Sequence, residues 1–161
     1  MFALLEANRD HFDRWLRWSG RITTATDCEA YIQRFQDKLA IGDGFHLGLW
    51  TGNQLIGGFV CHMLNHESHK TEIGYWLAAL QAGKGLITAV CSAMISYLIA
   101  DEHMHRIEIQ AATDNLKSRA VAERLGFTFE GIKRESDWIT TDYRDHALYA
   151  LLDREWSPNI F

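Results

Sequence analysis

The stretch Gln81-Ala82-Gly83-Lys84-Gly85 stands directly before a strongly apolar helical run, and this junction is where the sequence first offers chemistry. Backbone N–H groups at a helix start sit at the positive end of the helix dipole, and glycine lets an anion come close to them. The chemistry expected is a diphosphate cradle. Gly-x-x-x-x-Gly-Lys-Ser/Thr is absent, so this is no Walker A loop, and the third glycine of a dinucleotide fingerprint is missing. Glu72 is the second candidate. It lies inside the otherwise apolar run Glu72-Ile73-Gly74-Tyr75-Trp76-Leu77. A carboxylate there needs a partner, either an Arg or Lys across the strand or the amine of a substrate.

Other reactive residues carry less. His62, His66 and His69 with Glu67 fit neither His-Glu-x-x-His nor a His/Cys zinc set, so no metal is expected. Cys61 and Cys91 have no evident His or helix-start activation and read as core packing rather than acyl carriers. His103-x-His105 closes the long helix, where positive charge is favoured.

The elements that must hold these groups follow from periodicity. Residues 2–18 carry Leu5, Phe12, Trp15 and Leu16 in one amphipathic helix that Gly20 stops. Thr26-Asp27-Cys28-Glu29 reads as a capping box, followed by a helix with Cys28, Ile32, Phe35 and Leu39 on its buried stripe. Strands are expected over 45–51, 54–64 and 70–78, the first two joined at Thr51-Gly52-Asn53. Ile87, Val90, Cys91, Met94, Ile95 and Leu98 then trace a long helix. A short strand over 106–111, a helix over 115–125 capped by Asp114 and ended by Gly126, and strands over 127–138 and 143–152 complete the list.

The whole composition narrows the function class. A chain of 161 residues predicts one domain, 1–161, and its 16 basic against 21 acidic residues give a net charge of −5. That balance argues against direct nucleic-acid binding. The 3 cysteines form no C-x-x-C pair and read as reduced cytosolic thiols. The start lacks the apolar core of a signal peptide, and no run is long enough to span a membrane, so a cytoplasmic protein is expected.

Three motifs in the right order and with about the right separations carry a family resemblance. They are the strand Glu72–Leu77, the turn Gln81–Gly85, and Ala112-Thr113-Asp114-Asn115-Leu116-Lys117-Ser118 running on to Leu125-Gly126-Phe127. On these the chain resembles the GNAT N-acetyltransferase superfamily, and within it the branch that acetylates N-terminal amines of ribosomal proteins. The implied fold is α/β (α+β), a central mixed, twisted sheet with helices on both faces. The implied cosubstrate is acetyl-CoA, with no metal. The resemblance places its diphosphate on the backbone of Ala82, Gly83, Lys84, Gly85 and Leu86. Leu80 stands where the family has Gln or Arg, a change that a main-chain cradle tolerates. The family's splayed fourth strand pairs with pantetheine, which maps to Tyr75, Trp76, Leu77 and Ala78. The Leu77 amide is then the donor that polarises the thioester carbonyl.

The resemblance also assigns the acid and base. Ala122 occupies the position where many members carry a thiolate-protonating tyrosine. The branch's serine maps to Ser118, with Asn115 on the same helical face to bond pantetheine. Its carboxylate maps to Asp137 in Arg134-Glu135-Ser136-Asp137-Trp138, an aspartate where glutamate is more usual, so a water carries the proton; Glu72 is the rival base. An α-amine with a pKa near ~8 is already largely neutral and asks little of either. Trp18 and Trp138 are expected to line the acceptor groove. The favoured acceptor is a protein or peptide N-terminus, with a small amine or amino-acid-like metabolite as the alternative. A non-catalytic acyl-CoA-binding or interaction module and a nucleotide-binding regulator using Gly83–Gly85 stay open, as does a homodimer. Residues 1–4 already match the helix after the family's first strand. That strand is therefore expected to be missing: either the start is shortened, or residues 156–161 or a partner chain take the strand's place, since a bare edge invites pairing.

Overall fold

Two antiparallel blocks of strand, joined along one short parallel seam, make up the sheet. The computed structural model describes residues 1–139 and 141–158. Its strands are β1 (Phe45–Thr51), β2 (Gln54–Asn65), β3 (Lys70–Leu77), β4 (Arg106–Ala112), β5 (Thr128–Ile139) and β6 (Asp142–Leu152). They lie in the order β1-β2-β3-β4-β6-β5 in a six-stranded mixed sheet. β1, β2 and β3 pair antiparallel in sequence, and β6 pairs antiparallel with both β4 and β5. Only β3 and β4 run parallel, over Lys70↔Arg106 to Ile73↔Ile109.

Helices cover both faces, as the resemblance implied. α4 (Leu86–Ala100) and α5 (Leu116–Arg124) bury Ile87, Cys91, Ile95, Leu98 and Val121 against Phe59, Ile73, Ile109 and Tyr149. α1 (Phe2–Ala7), α2 (Arg9–Asp13) and α3 (Ala25–Ala40) bury Leu5, Phe12, Cys28, Tyr31 and Phe35 against Val60 and Trp76 on the other face. Neighbouring strand residues alternate between the two cores: Tyr75 and Leu77 pack toward α4 and α5, while Trp76 packs toward α1–α3. No helix among the described residues is long and apolar enough to cross a membrane.

Several local expectations need correction. The single helix expected over 2–18 breaks at Asn8 (φ −130, ψ 24). Asn8 Nδ2 donates to the Leu4 carbonyl at 3.0 Å, and its Oδ1 accepts the Ala79 N–H at 3.1 Å. A bond to the loop after β3 thus replaces helix continuity. Beyond α2 the chain turns, held by buried Ser19, whose Oγ donates to Asp13 Oδ1 at 2.7 Å. Trp15 and Trp18 therefore sit on a turn rather than on a helix.

The capping box starts earlier than expected. Thr24 Oγ1 accepts the Asp27 N–H at 3.1 Å, and Asp27 Oδ2 accepts the Thr24 N–H at 2.8 Å. The buried stripe of α3 is Cys28, Tyr31 and Phe35, whereas Ile32 and Leu39 are 38% and 60% exposed. Tyr31 stacks on Trp18 and meets His46 edge-on, which sets the face that turns inward. At α5 the cap is Asn115, whose Oδ1 accepts the Ser118 N–H at 3.2 Å; Asp114 pairs instead with Arg144 at 3.1 Å. Trp156 does not replace a first strand: its Nε1–H donates to Ser96 Oγ on α4 at 3.0 Å. Residues 159–161 lie outside the described residues.

A swap at the cap separates the two readings of α3. Thr24→Ala is expected to cost about 1 kcal/mol of stability, read as a lower urea midpoint at unchanged m. Thr26→Ala, in the first turn but not at the cap, should leave the midpoint within a few tenths of that scale.

Candidate active site

Beyond Ile73↔Ile109 the registered pairing of β3 with β4 ends, while β4 stays with β6 as far as Ala112↔His146. β3 continues on β2 to Leu77↔Gly57, so a gap opens between β3 and β4. The Ala78 N–H donates to the Ile56 carbonyl at 2.8 Å. In an antiparallel ladder, this bond beside the Leu77↔Gly57 pair turns the N–H and C=O of Leu77 itself away from β2, toward the gap. Tyr75, two residues earlier, has the same orientation. The Leu77 carbonyl accepts a bond from His11 Nε2–H at 3.2 Å. Leu77 thus presents its N–H to the gap, the orientation that the expected oxyanion donor requires. Trp76 and Ala78 do not present peptide groups there, since alternation turns theirs toward β2.

The gap opens into a cleft of about 1100 Å³, walled by α4 and α5 and, at its other edge, by His11, Phe12, Trp15 and Leu16. All five cradle residues, Ala82, Gly83, Lys84, Gly85 and Leu86, line it. Gly83 and Gly85 adopt φ of +81 and +75, the left-handed region that favours glycine. Gly85 is the N-cap of α4 and provides no side-chain cap bond, so the first N–H groups of that helix are left for a ligand. Lys84, Lys117 and Arg124 share the lining. Of these, Lys117 and Arg124 escaped sequence reasoning, because only the fold brings α5 beside the start of α4. The residues fit a diphosphate-bearing ligand.

On the α1–α3 side lies a second cavity of about 450 Å³. Glu72, Asp137 and Trp18 line it, together with Arg17, Ser136 and His146. Glu72 accepts from Gln110 Nε2 at 2.6 Å, so its partner is neither Arg nor Lys. Burial pushes its carboxyl above the ordinary 4.5, and the Gln110 bond opposes that push. Asp137 Oδ1 accepts from Arg17 Nη1 at 2.8 Å. His146 is 9% exposed, and its Nδ1 lies 3.1 Å from Ser136 Oγ. β5 bulges here, with Glu135 at φ +48. Bulges near sites commonly re-aim side chains, and no sequence signal announced this one.

The cavities meet at Trp15, Leu16, Tyr75, Trp76, Asn115 and Ser118, which line both. Ser118 Oγ–H donates to the Tyr75 hydroxyl at 3.2 Å, and that hydroxyl donates to the Ser118 carbonyl at 2.9 Å. Trp76 is 5% exposed, and its Nε1–H donates to His46 Nε2 at 3.0 Å. Burial holds that imidazole down at about 4, and so neutral. A Cβ on Gly58 would lie 2.4 Å from both of these nitrogens, so only glycine admits the pair. Trp138 is not at the site: it is 48% exposed and packs edge-on against Tyr143 at 4.9 Å. Its neighbour Asp137 takes the inward position, which turns Trp138 outward.

The family described as Acetyltransferase (GNAT) domain matches residues 2–128. A curated protein of Bacillus subtilis (strain 168), named "Putative ribosomal N-acetyltransferase YdaF", is 36% identical over 154 residues, spanning 95% of this chain and 84% of that protein. A crystal structure of "Probable acetyltransferase" has a TM-score of 0.90 at 36% identity, covering 96% of this chain and 86% of the other. The structure of RimL, a ribosomal L7/L12 alpha-N-protein acetyltransferase in complex with coenzyme A, gives a TM-score of 0.90 at 23% identity. It covers 94% of this chain and 85% of that one, a likeness of fold.

Burial of Glu72 makes stability depend on pH. Its folded value lies above its unfolded one, so the folded state binds the extra proton, and stability falls as pH rises from the ordinary carboxylate value through the raised one. Glu72→Gln keeps an oxygen for Gln110 and removes the charge. The variant is expected to melt above wild type at pH 7 and level with it near about pH 3, below the unfolded carboxyl's own value, where the native carboxyl is protonated in both states. Calorimetry across that range checks the sign.

Proposed function

We propose, for a chain that belongs to the GNAT acetyltransferase family, that it carries an acetyl group from acetyl-CoA to the N-terminal amine of a protein or peptide. Transfer takes place by direct attack in a ternary complex. The observation that carries this reading is the junction of two cavities through one gap in the sheet, at Tyr75, Asn115 and Ser118. An acyl donor held on one side meets an amine held on the other without a covalent enzyme intermediate. Buried Cys61 and Cys91 support this, since burial pushes both thiols up, to about 11 and about 12, and protonated thiols are poor nucleophiles.

The residues take the following roles. The main-chain N–H groups from Ala82 to Leu86 hold the diphosphate, and Lys84, Lys117 and Arg124 balance the charge around it. The N–H groups of Tyr75 and Leu77 face pantetheine, and Leu77 N–H bonds the carbonyl oxygen as negative charge gathers there. Glu72, through a water, receives the proton that the attacking amine gives up. Its raised affinity for protons suits that task, whereas Asp137 Oδ1 is already taken by the Arg17 guanidinium at 2.8 Å. Asp137 and Trp18 line the acceptor's path. Asn115 spends its Oδ1 on the helix cap and retains its Nδ2 for pantetheine. Ser118 serves the departing sulfur. The names of the relatives favour a protein N-terminus as the acceptor, and two carboxylates in a small polar cavity suit an amine.

Ligand-dependent melting tests the first half. Acetyl-CoA at a hundredfold its Kd is expected to add about 2.7 kcal/mol of apparent stability, and ATP much less. No shift with acetyl-CoA removes the reading, and a shift with ATP alone favours a nucleotide-binding regulator. An acceptor screen with labelled acetyl-CoA then compares N-terminal peptides of ribosomal proteins with small amines. Binding without transfer to any amine points to a non-catalytic acyl-CoA module. For the base, Glu72→Gln is expected to lower kcat by about 10²–10⁴-fold and abolish the rising limb of the pH–rate profile. If Asp137→Asn does this instead, the two carboxylates exchange roles.

A further inference from the structure

The reading of Ser118 leaves a chemical gap. A hydroxyl is a weak acid, so an isolated serine is a poor proton source for a thiolate, and position 122, on the same helix, is an alanine. The nearest phenol to the junction comes from the sheet. Tyr75 reaches from β3 to the first turn of α5, where its single hydroxyl touches Ser118 twice, at Oγ (3.2 Å) and at the carbonyl (2.9 Å). Both residues line both cavities. One phenolic proton therefore has two acceptors within reach, and hydroxyl rotors turn freely between such settings.

We propose that Tyr75 is a positioning residue for Ser118, a two-setting hydrogen-bond switch that turns the serine proton toward the leaving sulfur. This rests on the reading that Ser118 serves that sulfur. In the first setting Tyr75 donates to the Ser118 carbonyl, and the Ser118 hydroxyl is spent on Tyr75. In the second the phenol proton swings to Ser118 Oγ, and the serine proton is released toward the gap. A donated bond polarises the acceptor's own O–H, so the serine becomes a stronger donor in a chain of two than alone.

The step balances. As the C–S bond breaks, its electron pair stays on sulfur, and the serine proton moves to sulfur to give the thiol. In the same step Oγ takes up a proton from water, so that no alkoxide, a far stronger base than a phenolate, is left beside the Tyr75 hydroxyl; that proton matches the one the amine released. Tyr75 itself gives up no proton. Burial pushes its phenol well above the usual range, so a phenolate there is disfavoured, and Tyr75 acts through Ser118 rather than as the acid.

A double-mutant cycle separates this role from simple bracing, because Ser118→Ala removes Oγ but keeps the carbonyl that Tyr75 also bonds. The assay uses whichever amine, peptide or small, supports turnover. Tyr75→Phe is expected to lower kcat about ten- to a hundredfold, the scale of a misplaced catalytic group, with KM for acetyl-CoA little changed. In the Ser118→Ala background the same change should leave kcat where it was, while a loss in melting temperature persists in both backgrounds, since the bond to the carbonyl is broken in each. An equal fall of kcat in both backgrounds, or no fall in either, overturns the switch and leaves Ser118 in place as long as Ser118→Ala alone is slow. If Ser118→Ala turns over like wild type, the reading of Ser118 fails and the switch fails with it. Should Tyr75→Phe not fold, Tyr75→3-fluorotyrosine keeps both bonds and strengthens the donor. It must then change kcat with Ser118 present and not with alanine there.

Discussion

The site depends on one break in hydrogen bonding, the parting of β3 from β4 after only four registered pairs. Each strand keeps its other neighbour, so the parting costs only one side of each ladder. Peptide groups that a continuous sheet would consume are turned outward at Tyr75 and Leu77. The break also joins the two faces of the sheet, which elsewhere are sealed from each other by two packed cores. Without it, the cleft walled by α4 and α5 and the cavity beside the Trp15–Trp18 turn would meet only along that turn, at Trp15 and Leu16.

Charge is distributed unevenly between the cavities. Lys84, Lys117 and Arg124 line the larger cleft, while the smaller cavity holds the Arg17–Asp137 ion pair and Glu72. A chain with a net charge of −5 still offers a cationic cleft, and beside it a carboxylate, Glu72, that no Arg or Lys pairs. The helix-start amides add to the first without any side chain. A single hydrogen bond nets only about 1 kcal/mol, so the cradle works by aligning several at once. Aromatic packing holds the walls: Trp76 contacts Phe12, Trp18 and His46, and this cluster ties the N-terminal helices to the strand that forms one lip of the gap.

Much of the scaffold was legible because its signals are local. The stripe of α4 and the turn at Gly83–Gly85 follow from spacing alone, and the strands of the β1–β3 block fall close to where alternation and turn residues put them. The misreadings arose where tertiary contacts override local pattern. Asn8 breaks a helix that periodicity would continue, because its amide finds the loop after β3. Thr24 rather than Thr26 caps α3, a choice between two nearby hydroxyls that propensity does not settle. Among the residues that line the two cavities, resemblance pointed to Ser118, Leu77 and the cradle, which sit at fixed distances from glycine and strand landmarks. It misplaced Trp138 because alternation in a bulged strand is not readable without the bulge. Arg17, Arg124 and His146 carried no signal, since each reaches the site only by long-range packing.

The narrow seam has a mechanical meaning as well. Along it, two three-stranded halves adhere through four residues of parallel pairing, a weak weld compared with the antiparallel ladders on either side. An extended amide chain lodged in the open part of that seam would complete the weld, taking up the peptide groups that β3 turns outward. Under the proposed function the donor molecule would be part of the architecture, a removable rib whose arrival would stiffen one half against the other and whose departure would slacken them.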